Sequence, residues 1–170
     1  MDVNELLTDE LDRVRTQVPQ IVEGLDDDAL CWRPGPEGNT IAWLVWHLTR
    51  IQDDHLAAVA GLEQAWTAAG WYERFDLPFP AEDHGFGHSA EQVGQVRVGS
   101  RLLAGYHGAV ADRYAGFVGG LTASDLDEVV DTRWDPPVTL GVRLASVVGE
   151  VHAHAGQAAF VRGLWERRTR

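Results

Sequence analysis

The sequence predicts an all-α protein, a four-helix bundle with long crossover connections that forms a single domain over residues 1–170. Two observations carry this prediction. Apolar residues recur at spacings of three and four in four long segments, which is the period of a helix with one buried face. The segments between them are rich in glycine, proline and polar residues, which interrupt helices. With 45% hydrophobic residues, a chain of this length can bury one sizeable core.

The N-terminal part of the chain contains the first two predicted helices. Helix one runs over about residues 2–24, and Pro19 bends it because proline lacks the backbone donor. A connection rich in proline and glycine follows over residues 26–38. Helix two runs over about residues 40–60, with Asn39 or Thr40 as its N-cap. It is apolar over a wide arc, which is typical of a helix buried on several sides.

The C-terminal part contains the other two predicted helices. A long connection rich in aromatic residues covers residues 61–88, and helix three then runs from Ser89 to Gly119 or Gly120. Ser89 and Gln92 match a capping box, which predicts that the helix begins there. Residues 121–138 are polar and turn-like, with one short extended piece. Helix four runs over about residues 139–165.

Composition excludes several classes of partner and predicts a location. The net charge is -12 and the 14 basic residues are all arginine, so the chain lacks the basic surface that nucleic acids and anionic membranes require. The lone Cys31 cannot form an intrachain disulfide, which fits a reducing compartment. The N-terminus has no signal-peptide pattern, and no apolar run approaches the length of a membrane span. We therefore expect a cytoplasmic protein.

Helix four carries the most informative pair of residues. Glu150 and His154 lie four residues apart, so both side chains project from one face of the helix. A carboxylate and an imidazole in this arrangement can bind one metal ion, and His47 of helix two is the best candidate for a third ligand. A buried polar pair, with His47 in the core by coincidence, explains the same residues without a metal.

Four further residues are candidates for contact with the metal ligands or with a substrate. They are Gln157, Asp54, Arg50 and His107. A histidine on an apolar face such as His107 is more often a core residue, and a carboxylate placed as Asp54 is more often a solvated helix-end residue. His84 and His88 have the spacing of a helical ligand pair, but the glycines beside them exclude a helix, so we predict no second metal site there.

Three stretches resemble one known family. Trp32-Arg33-Pro34, residues 39–48 and residues 150–157 are similar to motifs of the DinB-like superfamily, and most similar to its actinobacterial members and to the N-terminal domain of mycothiol-dependent maleylpyruvate isomerase. The resemblance implies a four-helix bundle with a divalent metal near one end. In the isomerase-like branch the ligands are two histidines and a glutamate, which correspond to His47, Glu150 and His154. His152 competes with Glu150, but its spacing points it away from that face.

The resemblance also implies a function. Several members of the superfamily transfer a low-molecular-weight thiol, such as mycothiol, to an electrophile. Three protein ligands leave an open coordination position, as catalytic zinc sites do. We therefore predict a divalent-metal-dependent thiol S-transferase that acts on a small-molecule electrophile, with zinc preferred over iron or nickel. A metal-dependent hydrolase or isomerase and a non-catalytic metal-binding stress protein are the alternatives, and a homodimer is an open possibility.

Overall fold

Four long helices pack side by side in the computed structural model, which describes residues 1–168 and confirms the predicted fold class. They are α1 (Val3–Val22), α3 (Ile41–Ala60), α7 (Ser100–Gly119) and α8 (Leu140–Arg168). The α3 helix packs against α7 and α8, and α1 packs against the same two helices. Among residues 1–168, no helix has both the length and the apolar character that crossing a membrane requires.

Short elements occupy the connections between the long helices. The helical ones are α2 (Asp27–Cys31), α4 (Ala65–Ala68), α5 (Trp71–Phe75), α6 (Ala90–Gln95) and a 3₁₀ turn at Asp125–Asp127. The predicted extended piece is half of a two-stranded antiparallel hairpin. In it β1 (Val129–Asp131) pairs with β2 (Val138–Thr139) just before α8 begins.

The α3 helix is the most buried of the four, as its wide apolar arc predicts. Thr40 caps its start, because the Thr40 hydroxyl accepts a hydrogen bond from the Trp43 backbone amide at 3.1 Å. Gly61 ends it with a positive φ of 65°, a conformation that glycine adopts without strain. Because α3 is enclosed, its polar side chains must find partners inside the protein.

The predicted third helix is interrupted at residues 96–99. Ser89 and Gln92 do form the predicted capping box, but the helix that they start is the short α6. The chain is extended at Val96 and resumes as a helix only at Ser100. Val96 and Val98 are both buried while the residue between them is exposed, which is the alternation of an extended segment. Tertiary burial of these β-branched residues therefore overrides the local helical pattern.

The long connection over residues 61–88 is fastened to α3 by two buried charged residues. The carboxylate of Asp53 accepts hydrogen bonds from the backbone amides of Ala65 and Trp66, at 2.9 and 2.8 Å. The guanidinium of Arg50 donates to the carbonyls of Ala81 and Asp83, both at 3.1 Å. This fastening holds the end of the connection close to His47.

Candidate metal centre

The three predicted ligands converge between α3 and α8. Oε1 of Glu150 lies 3.6 Å from Nε2 of His47 and 3.3 Å from Nε2 of His154. One ligand atom from each of the three residues can be chosen so that all lie within 4.8 Å of one another. Ligands of a tetrahedral zinc ion, about 2.0–2.1 Å from the metal, stand about 3.3 Å apart. The cluster therefore has the size of a divalent-metal site.

Hydrogen bonds fix the side of each imidazole that faces this cluster. Nδ1 of His47 lies against the carbonyl oxygen of His84, which can only accept, so Nδ1 carries the proton. Nδ1 of His154 lies 3.1 Å from Oε1 of Gln157, and in the tautomer in which it donates to that oxygen, Nε2 carries no proton. Both Nε2 atoms then present lone pairs toward the Glu150 carboxylate.

This leaves three electron-pair donors facing one another. Burial lowers the pKa of His47 to about 4, so its ring is neutral near pH 7 and brings no proton to the cluster. In the tautomer in which His154 also has no proton on Nε2, three acceptors face one another and repel, and a cation placed among them removes that repulsion. The chemistry of the donor set therefore fits a divalent metal, and Glu150 balances part of its charge.

Trp43 forms the wall of the site on the α3 side. Its ring stacks on the His47 ring with centroids 4.6 Å apart, and it meets the ring of His154 edge-on at 6.1 Å. The indole Nε1 donates to Nδ1 of His88 at 3.2 Å. One aromatic side chain therefore limits the rotation of two of the three candidate ligands.

Gly85 allows the chain to approach His47 closely enough for the carbonyl contact. Its φ is 89°, which strains any residue with a side chain. A Cβ at this position would lie 3.0 Å from Nδ1 of His47 and 2.8 Å from the ring of Trp46. Position 85 therefore has room for glycine only.

The other residues singled out in the sequence are distributed unequally around the site. Gln157 contacts His154 directly, as described above. Asp54 accepts a hydrogen bond from Gln64 at 2.8 Å. Arg50 contacts the long connection, Tyr106 and Asp53, so it supports the site through the backbone. His152 pairs with Glu10 of α1 at 3.0 Å, away from the triad.

His107 lies in the core, between α7 and α3. Its Nδ1 stands 3.2 Å from the hydroxyl of Thr49. Complete burial lowers the pKa of His107 from 6.5 to about 4. His107 is therefore neutral in the folded protein near pH 7.

We expect this burial to make the protein acid-sensitive. Because the folded-state pKa of His107 is lower than the unfolded-state value, the unfolded chain takes up a proton first as the pH falls below 6.5. The free energy of unfolding should drop by about 2 kcal/mol between pH 7.5 and pH 5 from this group alone. Urea denaturation at the two pH values should show that His107→Leu loses less stability than the wild type. An equal loss in both proteins would show that His107 does not carry the effect.

Two residues that contribute to the site could not be identified from the spacing of side chains in the sequence. His84 acts through its backbone carbonyl, which any residue possesses, and His88 acts through Trp43. The glycines at 85 and 87 correctly exclude a helix at this point. Both have a positive φ, and Gly85 is the one at which the chain approaches His47 closely.

A cavity of about 290 Å³ opens beside the triad. It is lined by Ile51, His55, His84, Phe86, Ser146 and Glu150. Phe86 is 82% exposed, so the cavity has an aromatic edge toward solvent. A small molecule in this cavity would contact the Glu150 carboxylate and the apolar side chain of Ile51.

Comparisons with known proteins agree with this fold. A family model described as mycothiol-S-transferase matches residues 6–166. A solved structure described as a conserved protein of a locus from Enterococcus faecalis superposes with a TM-score of 0.87 and 29% sequence identity, over 95% of this chain and 96% of that chain. No curated protein is significantly similar to the sequence.

Proposed function

Because the chain belongs to the mycothiol-S-transferase family, a DinB-like family as the sequence motifs indicate, we propose that it is a divalent-metal-dependent S-transferase. In this proposal it joins the sulfur of a low-molecular-weight thiol, mycothiol in the first instance, to a small electrophile. The observation that supports it best is the convergence of His47, Glu150 and His154, with both imidazoles held so that Nε2 faces the carboxylate. Three ligands leave a coordination position for a thiol.

In the proposed reaction, a sulfur–hydrogen bond breaks and a sulfur–carbon bond forms at the electrophilic carbon. The electrophile either takes up the proton, as an activated alkene or an epoxide does, or loses a leaving group with it. His47, Glu150 and His154 would hold a divalent cation, whose Lewis acidity would favour the thiolate form of a bound thiol, which is the nucleophile. Zinc suits a sulfur ligand, and iron or nickel would occupy the same donor set.

The residues of this chain have three tasks in that reaction. His47 and His154 supply neutral nitrogen ligands, and the hydrogen bonds at Nδ1 keep them in one orientation. Glu150 supplies a negative charge that moderates the Lewis acidity of the site. Ile51 and Phe86 give the cavity beside Glu150 an apolar surface, which places an electrophilic carbon next to the thiol and reduces the access of water. The reduced thiol pool that the reaction needs supports a cytoplasmic location.

We expect turnover that requires both metal and thiol. Protein loaded with zinc would be mixed with mycothiol and a panel containing a bimane halide, an epoxide and a quinone, and conjugates would be measured by mass spectrometry. Glu150→Gln, which keeps the size of the side chain but removes its charge, should lower kcat/KM by about 100-fold. His152→Phe should leave it unchanged, because His152 pairs with Glu10 on the other side of α8.

Two outcomes would contradict the transferase proposal. Turnover of a substrate without any thiol would indicate a hydrolase or isomerase that uses water. Retention of metal with no turnover across thiols and electrophiles would indicate a non-catalytic metal-binding protein.

A further inference from the structure

A hydrogen-bonded pair, Asp83 and His88, joins the two ends of the segment of residues 83–88. Nε2 of His88 lies 3.1 and 3.0 Å from the two carboxylate oxygens of Asp83, and Oδ1 of Asp83 also accepts the backbone amide of Gly85 at 2.7 Å. The His88 side chain is only 4% exposed. Burial alone would raise the pKa of Asp83, but the hydrogen bonds from His88 and Gly85 bring it below its ordinary value. The pair therefore joins a buried histidine to an ionised, partly exposed carboxylate.

Both nitrogens of His88 are engaged, which excludes a role as a further metal ligand or as a free base. Its Nδ1 accepts from the indole of Trp43 at 3.2 Å, so its proton is on Nε2 and points to Asp83. Its ring also packs on Trp46 and Phe79, with centroids 5.8 and 4.6 Å away. His88 thus connects the segment to the face of α3 that carries His47.

The segment reaches His47 by two routes. The first is direct, because the carbonyl of His84, inside the closed segment, accepts the Nδ1 proton of His47. The second passes through Trp43, which His88 holds by a hydrogen bond and which stacks on the His47 ring. Arg50 fastens the same segment from the α3 side through the Asp83 carbonyl. The orientation and the tautomer of His47 therefore depend on the Asp83–His88 pair.

We propose that Asp83 and His88 are positioning residues of the metal centre, which keep the His84 carbonyl on Nδ1 of His47 and so leave Nε2 free to bind a metal. The inference rests on the metal site of the proposed function. It adds that Asp83 and His88, which are not metal ligands, set the affinity of the site for the metal. Hydrogen-bond partners of ligating histidines characteristically change affinity by about 10–100-fold when they are removed.

The test uses His88→Phe, which keeps the ring packing and removes both hydrogen bonds. We expect the zinc affinity, measured by competition with a chromophoric chelator, to fall by about 10–100-fold. In the metal-free protein, ¹⁵N NMR of the His47 ring should show one tautomer, protonated at Nδ1, in the wild type and a mixture in the variant. His88→Gln can still donate to Asp83 and accept from Trp43, so it should restore most of the affinity.

A matched control and a second variant make the outcome decisive. His152→Phe removes a histidine–carboxylate pair of similar length from α8 and should leave both the affinity and the His47 tautomer unchanged. If circular dichroism shows that His88→Phe is unfolded, Asp83→Asn decides the question by the same two measurements. Wild-type affinity together with a single His47 tautomer in a folded variant would overturn the proposal. If the wild type binds no zinc, the proposed function fails, while the NMR measurement still tests the positioning of His47.

Discussion

Wild-type protein is expected to keep about one divalent metal ion per chain through purification and dialysis, and His47→Ala and Glu150→Ala to lose it. The reason is the donor set, in which one carboxylate oxygen lies 3.6 and 3.3 Å from two imidazole nitrogens. A zinc site with four ligands is worth about 10–16 kcal/mol, so one ligand contributes about 3 kcal/mol or roughly 100-fold in affinity. Each variant should therefore release its metal to a chelator that leaves the wild type loaded.

Metal content by mass spectrometry on the three proteins measures this directly. Circular dichroism shows whether the helices survive in each variant, so that a lost ligand is distinguished from a lost fold. Glu150→Gln tests whether metal binding needs the negative charge, because glutamine keeps an oxygen near the same position. His152→Phe is the control for α8, and it also decides between Glu150 and His152 as the ligand. A wild type that takes up neither zinc, iron nor nickel would refute the metal centre and the transferase mechanism with it.

The parts of this protein that were predictable from sequence are those fixed by local chemistry. Thr40 caps α3 and Ser89 caps α6 because a hydroxyl three residues before a free amide is a local feature. Glu150 and His154 share a face because helical geometry requires it. The end of α6 was not predictable in this way, since Val96 and Val98 leave the helical path to fill a space formed by distant residues.

The polar residues of α3 show a second limit of sequence reasoning. His47, Arg50 and Asp53 lie within two turns of one helix and are all buried. One is a candidate ligand and the other two fasten the connection over residues 61–88. Spacing alone does not separate these tasks, because each is defined by its partner. The partner of His47 is a backbone carbonyl, which leaves no trace in the residue types.

Asp53→Ala is expected to lower the free energy of unfolding by about 3–5 kcal/mol, the largest effect of any single substitution that we predict on stability. Its carboxylate is fully buried and accepts four hydrogen bonds. The donors are the amides of Ala65 and Trp66 and the hydroxyls of Tyr106 and Tyr114, at 2.6–2.9 Å. Burial raises the pKa of Tyr106 well above its ordinary value, so its hydroxyl stays protonated as a donor. Alanine would leave the two amides and the Tyr106 hydroxyl buried without this acceptor, and would leave the Tyr114 hydroxyl only the backbone carbonyl of residue 53, at 3.3 Å.

Urea denaturation of Asp53→Ala, Asp53→Asn and Asp54→Ala provides the measurement. Asparagine keeps one acceptor but presents an N–H group to other donors, so it should recover only part of the loss. Asp54 is the adjacent carboxylate with a side chain that is 34% exposed, and its removal should cost less than about 1 kcal/mol. Tyr106→Phe and Tyr114→Phe should each cost about 1–2 kcal/mol and should cost almost nothing further in the Asp53→Ala background. A loss below about 1 kcal/mol for Asp53→Ala would contradict the assignment.

Asp53→Ala should also weaken metal binding, although Asp53 is not a metal ligand and only fastens the connection beside the site. Asp53 holds the start of the connection at Ala65 and Trp66, and Arg50, whose Nη1 lies 3.8 Å from the Asp53 carboxylate, holds its end at Ala81 and Asp83. Loss of the carboxylate leaves the buried guanidinium without its counter-charge, so the end of the connection loosens with the start. Folded Asp53→Ala should therefore bind zinc more weakly than the wild type but more tightly than Glu150→Ala, because all three ligands remain. Zinc should in turn restore part of its stability, since a ligand that binds only the folded state shifts the equilibrium toward it.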